Sequence, residues 1–317
     1  MKQNAKLIFS YLRSHIVGQD YAIKQIAHAI ARGESGLSMP GRPKASFLLL
    51  GPTGVGKTES AKQSALYLYG SLEDGYEALD MAEYQGENAV EGWKKLVTEK
   101  VSKRPQGGIL LFDEIEKAYR DILLNLLQIL DEGRLSCAGA PYNLSNWYIF
   151  CTSNLGCAEM INMKHSAYAT IARTAKSAAE QHLRPEVVAR FNEVAVFQLL
   201  PFAFQQQICS AMMDVYLRFV HEQTGLEILY AGDVIQYLLR KGFNRRLGAR
   251  PLRNTIETEI SLAVNNYHSQ YEVLAAGERV TVRVADDGKS LYLLEPSEGS
   301  SSSHEWVNSY AVEVEGK

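Results

Sequence analysis

Residues 51–58, GPTGVGKT, set three glycines ahead of a lysine and a hydroxyl in the order G-x-x-x-x-G-K-[ST]. Glycines at 51, 54 and 56 let the chain wrap closely round an anion, so Gly51, Pro52, Thr53, Gly54, Val55 and Gly56 form a backbone cradle for phosphate oxygens. Lys57 then reaches the terminal phosphates and Thr58 offers a hydroxyl to magnesium. A second chemical group closes the apolar run GGILLFDE, where Asp113 and Glu114 stand side by side. Asp113 suits a magnesium ion held through water, and Glu114, with its own orientation, suits the polarisation of an attacking water. Asn154, in TSN, is open to two readings: an amide that positions water or senses a terminal phosphate, or an Asx turn before Gly156. Arg190, in RPEVVARFNEV, and Arg250, in GARPLR, read from residue type alone as surface cations, or else as charges brought to phosphate from a neighbour or across a cleft.

The elements that must position these groups are legible as pattern. SFLLLG, residues 46–51, is a short apolar run before the glycine loop, and KTESAKQSALYLYG after it reads as a helix stopped by Gly70. Strand, glycine loop and helix make the first half of a three-layer α/β unit. GGILLFDE and WYIFCTSN are further core strands, and EVAVFQLL, residues 193–200, is a fourth candidate. Helical patterns are expected over residues 21–32, through Ile122, Leu123, Leu126, Leu127 and Leu130, and over 167–192. Beyond Pro201 the texture changes to helices at 204–224, 233–241 and 253–267, an extended piece at 227–229, and a hairpin of RVTVRVA and SLYLLE about Asp286, Asp287 and Gly288. The expected organisation is a large α/β domain over 1–200, a small helical domain with a β appendage over 201–296, and a serine-rich tail over 297–317 holding Trp306 and Tyr310.

Composition narrows the function classes. The 317 residues are 46% hydrophobic, enough for a sizeable core, and the formal charge of -3 argues against a surface built mainly for nucleic-acid phosphates. One local cationic cluster, Lys94, Lys95, Lys100, Lys103 and Arg104, keeps that reading open. Four cysteines without a CxxC pair and seven histidines without ligand spacing leave ATP-borne magnesium as the one metal inferred. Reduced thiols and the lack of a long apolar stretch point to the cytoplasm and to no membrane insertion.

Taken in order, IVGQDYAIKQIAHAI, GPTGVGKTE, LDMAEY, ILLFDEIEKAYRDILLNLLQILDEGRLS, TSNLG, LRPEVVARFNEVAVF and GARPLRNTIE resemble the Clp/Hsp100 branch of AAA+ ATPases, in particular the second ATPase module of ClpB-like disaggregases and ClpA-like unfoldases. The resemblance implies an AAA+ P-loop fold with a small helical lid, and ATP hydrolysis with magnesium. It places Ile16 and Val17 near the adenine, makes Asp113 and Glu114 the Walker B pair, and makes Asn154 sensor 1. Arg190 becomes the arginine finger offered to the adjacent subunit and Arg250 becomes sensor 2, which implies a homo-oligomer, usually a hexameric ring. The departures matter as much. Residues 80–105, DMAEYQGENAVEGWKKLVTEKVSKRP, are shorter than the family's pore loop and lack its GYVG-like grip, with Tyr84 and Trp93 the available substitutes. CAGAPYNLSNW replaces a charged stretch in the second pore region. Three functions compete: remodelling of a dedicated protein partner, threading of unfolded substrates, and service as a nucleic-acid-associated loader or transfer factor.

Overall fold

The computed structural model describes residues 4–163, 166–244, 248–270 and 279–294. The tail assigned to 297–317, with Trp306 and Tyr310, lies outside the described residues. The chain divides into two compact units, Met1–Leu199 and Leu200–Lys317.

In the first unit, helices α1 (Ala5–His15) and α2 (Asp20–Glu34) precede strand β1 (Ala45–Leu50). Then come α3 (Lys57–Tyr69), α4 (Leu72–Gly75), β2 (Tyr76–Asp80), α5 (Ala89–Lys103), β3 (Ile109–Asp113) and α6 (Arg120–Glu132). A hairpin of β4 (Arg134–Cys137) and β5 (Ala140–Asn143) leads to β6 (Tyr148–Ser153), α7 (Cys157–Asn162), α8 (Tyr168–Leu183), α9 (Pro185–Val188) and β7 (Glu193–Val196). The strands form one parallel sheet in the order β2-β3-β6-β1-β7. Every residue of β1 and β6 is buried, as a strand covered on both faces requires. One face carries Leu48, Leu50, Leu110, Phe112, Ile149 and Cys151 against apolar residues of α5, α6 and α8. On the other, Phe47 stacks on Phe150 at 4.3 Å and the Tyr148 hydroxyl bonds the Ile30 carbonyl of α2. α3 turns the small residues Ser60, Ala61, Ser64 and Ala65 inward.

Three local details depart from the sequence patterns. β2 is a fifth strand, at the sheet edge, where YEALD buries one residue and so carries no apolar run. The helix expected over 167–192 breaks at Arg184, whose φ of 73° separates α8 from α9. In the segment 137–147 Ala138 and Gly139 both take positive φ, a two-residue turn matched to the twist of β4 and β5.

The second unit contains α10 (Phe202–Thr224), β8 (Glu227–Tyr230), α11 (Gly232–Gly242), α12 (Arg250–Gln270), β9 (Arg279–Val284) and β10 (Leu291–Leu294). β9 and β10 form the expected hairpin, and β8 adds to it in parallel, so the extended piece at 227–229 belongs to a three-stranded sheet. Leu238, Leu252, Ile256, Ile260, Val280, Val282 and Leu291 make its core. Glu259, 7% exposed, accepts from Tyr237 at 2.5 Å and Lys241 at 2.7 Å, which satisfies its buried charge.

Candidate functional site

Parallel pairing brings the chemical residues together. β1, β6 and β3 are neighbours in register, Leu50 opposite Ser153 and Phe112 opposite Cys151, so Gly51, Asn154 and Asp113 emerge side by side at their carboxyl ends. Open α/β sheets bind ligands at that edge.

The glycine loop is shaped by steric need. Gly51 has a φ of 142°, and a Cβ there would lie 2.3 Å from the Phe197 carbonyl oxygen, so no other residue fits without moving the backbone. Gly56, at φ 104°, passes against Ile16. α3 then starts at Lys57 with no side chain capping its first turn, which leaves its leading amides open to an anion. The buried Gln19 donates to the carbonyls of Val55 and Gln198 and accepts the Gln198 N–H, tying the segment after Ile16 and Val17 to the loop. Ile16 is buried and Val17 half-buried.

Lys57 is 7% exposed and spends its three N–H groups on the Gly51 carbonyl, the Pro52 carbonyl at 2.8 Å and Asn154 Oδ1 at 2.8 Å. Burial pulls its pKa down to about 8, against the opposing fields of Glu116, Asp113, Cys157 and Glu114. Asn154 Oδ1 also accepts the Thr53 hydroxyl at 3.3 Å, and its Nδ2 donates to Glu114 Oε1 at 3.2 Å. One amide therefore joins the phosphate-loop lysine to the second carboxylate of the acidic pair.

Asp113 and Glu114 point to different tasks because the backbone reverses between them. Glu114 sits at φ 56°, ψ 52°, a left-handed conformation costly for a side-chain-bearing residue. Its N–H donates to Thr152 Oγ1 at 3.0 Å, and the Thr152 hydroxyl in turn bonds Asp113. Asp113 faces the Thr58 hydroxyl at 3.2 and 3.3 Å from its two oxygens, whereas Glu114 faces Asn154. The Thr58 and Asp113 oxygens are hard donors suited to magnesium. Gln19, Thr152 and Glu116 carried no separate signal in the sequence: each acts by a contact that only the fold creates.

Arg190 lies outside this constellation. Following α9, it is half exposed and pairs through one nitrogen with Asp131 of α6 at 3.0 Å. Arg250 is the exposed first residue of α12, in the second unit. Trp93 is fully buried against Phe112, ring centroids 5.7 Å apart, and so cannot project into a channel. Tyr84 instead lines a cavity of about 560 Å³ with Thr58, Asp80, Lys100 and Asp113. In the cationic cluster, Lys94 pairs with Glu91, Lys103 with Glu99, and Lys100 and Arg104 share Glu77, so three glutamates offset part of the charge that these four cations and Lys95 carry.

Comparison with known proteins supplies the relationship. Residues 42–194 match the family model described as AAA domain (Cdc48 subfamily), and residues 204–282 match that of the C-terminal, D2-small domain of ClpB protein. The chain belongs to the Clp-type AAA+ ATPases. It is 34% identical over 290 residues to chaperone protein ClpB4, mitochondrial, of Arabidopsis thaliana, covering 83% of this chain and 30% of the relative. It is 36% identical over 280 residues to the ATP-dependent Clp protease ATP-binding subunit ClpL of Staphylococcus aureus, covering 84% of this chain and 38% of the relative. The Clp-type chain thus spans about a third of the length of these relatives. Its parallel sheet, phosphate loop and small helical unit are those of an AAA+ module. Among the described residues no helix is long and apolar enough to cross a membrane.

Proposed function

We propose that this chain binds and hydrolyses Mg-ATP and uses that cycle to remodel a dedicated protein partner. The observation that carries the reading is Asn154, whose amide contacts both Lys57 and Glu114 and so couples the phosphate-binding loop to the carboxylate assigned to water. Bound ATP supplies a transferable phosphoryl group, and its magnesium neutralises charge on the phosphate oxygens. Lys57 and the amides of residues 51–58 hold the phosphates; Thr58 and Asp113 hold the metal; Ile16 and Val17 pack near the adenine. Glu114 orients and polarises the attacking water, with Asn154 fixing its direction. Arg190 is offered to the neighbouring subunit, which requires a homo-oligomer, in this proposal a hexameric ring in the cytoplasm, and Arg250 acts from the small unit as sensor 2. The finger reading is supported by the pairing of Arg190 with Asp131 rather than with its own phosphate loop.

A threading unfoldase is the second reading, favoured by relatives named as a chaperone and as an ATP-binding subunit of a protease. The buried Trp93 and the short segment after β2 support the remodeller. The test is affinity capture with the Glu114→Gln protein and ATP, beside an assay of a permanently unfolded polypeptide. Capture of one discrete partner without translocation supports the remodeller, and ATP-dependent translocation sensitive to Tyr84→Ala replaces it with the unfoldase.

A further inference from the structure

A third carboxylate enters the site beside Asp113 and Glu114. Glu116 lies in the 3-10 turn Ile115–Lys117, delivered there by the left-handed reversal at Glu114. One of its oxygens accepts the backbone N–H of Asn154 at 3.0 Å. Its other oxygen is buried without a hydrogen-bond partner among the described residues. A carboxylate with one buried oxygen left without a partner is a costly thing to keep, since that oxygen forgoes hydration.

What it holds explains the arrangement. Asn154 is the first residue past β6, where the sheet ladder no longer fixes the peptide. Its side chain must meet Lys57 and Thr53 through Oδ1 and Glu114 through Nδ2. A peptide free to rotate at this point would swing that amide off one or another of them. We propose that Glu116 is a positioning residue for ATP hydrolysis: by accepting the Asn154 N–H it pins the amide that links Lys57 to Glu114. This inference rests on the hydrolytic reading given above.

Reach and charge can be separated by substitution. Glu116→Gln keeps the length and the accepting oxygen but removes the charge, whereas Glu116→Asp keeps the charge and withdraws the acceptor by one methylene. Steady-state ATPase rates and nucleotide affinities are measured for wild type, Glu116→Gln, Glu116→Asp and Glu116→Ala, and again in an Asn154→Ala background, with far-ultraviolet circular dichroism as the check on folding. Misplacing a reacting group by about 1 Å costs up to about a hundredfold, so Glu116→Asp and Glu116→Ala are expected to lower kcat by about tenfold or more with nucleotide affinity changed less than about threefold. Glu116→Gln is expected to stay within about threefold of wild type, and in the Asn154→Ala background all three substitutions are expected to be nearly silent. The proposal is overturned if Glu116→Gln is as damaging as Glu116→Ala, if Glu116→Asp matches wild type, or if the loss persists undiminished without the Asn154 side chain. A wild-type protein that does not hydrolyse ATP overturns the functional reading and this inference together; one that does, with indifferent Glu116 variants, overturns this inference alone.

Discussion

Nucleotide binding is expected to draw a proton onto Lys57. In the structure its ammonium is enclosed, satisfied by two carbonyls and the Asn154 amide oxygen, and burial lowers its pKa from the ordinary 10.5 to about 8. That drop corresponds to about 3 kcal/mol in favour of the neutral amine. The unfolded chain keeps this proton up to its ordinary pKa, so between about pH 8 and 10 the unfolded state binds more protons and this residue's contribution to stability rises with pH. A bound polyphosphate reverses the balance by placing several negative charges against the ammonium. If the complex holds Lys57 fully protonated, proton uptake per site is about 0.1 at pH 7, 0.5 at pH 8 and 0.9 at pH 9. The assay is titration calorimetry of Mg-ATP into the Glu114→Gln protein in buffers of different ionisation enthalpy, because the slope of apparent heat against buffer heat counts the protons. Lys57→Arg, which does not titrate in this range, is expected to abolish the slope wherever binding survives. Measurable binding with no buffer dependence at pH 8 and pH 9 would show that Lys57 is already fully charged in the empty loop and would refute the reasoning.

Other perturbations probe separate parts of the molecule. Lys57→Ala is expected to lose nucleotide binding while Glu114→Gln binds ATP and turns it over slowly, since one charge acts on ground-state phosphates and the other in the chemical step; filter binding beside phosphate release separates them. Arg190→Ala is expected to suppress turnover by at least about tenfold without changing the circular dichroism spectrum, and wild-type turnover per subunit is expected to rise with protein concentration, because a supplied arginine contributes about 10³ to 10⁵ in related P-loop chemistry. A proven monomer with concentration-independent turnover rules that arrangement out. Trp93→Ala is expected to destabilise the first unit by about 3–5 kcal/mol, a core-cavity cost read from the shift in a denaturant midpoint. Gly51→Ala is expected to lower both stability and nucleotide affinity, since its Cβ meets the Phe197 carbonyl; an unchanged melting temperature contradicts the geometry.

Much of the fold was legible because its signals are local. The strands β1, β3 and β6 each carry a short run of consecutive apolar residues, and the phosphate loop is a contiguous motif whose glycines answer to positive φ. β2 escaped because an edge strand covered on fewer sides needs no apolar run, and the break at Arg184 escaped because an arginine at positive φ leaves no trace in an alanine-rich helical pattern. The same division runs through the site. Lys57, Thr58, Asp113 and Glu114 could be named from spacing, since their chemistry is tied to a strand end or a loop only a few residues long. The tertiary structure decided what spacing cannot: that adjacent carboxylates diverge because Glu114 is left-handed, that Trp93 is core rather than a channel residue, and that Thr152, Glu116 and Gln19 support the site. Those roles arise where segments 36 to 179 residues apart meet, and a hydrogen bond across such a separation is set by the packing of the whole sheet, not by any pattern along the chain.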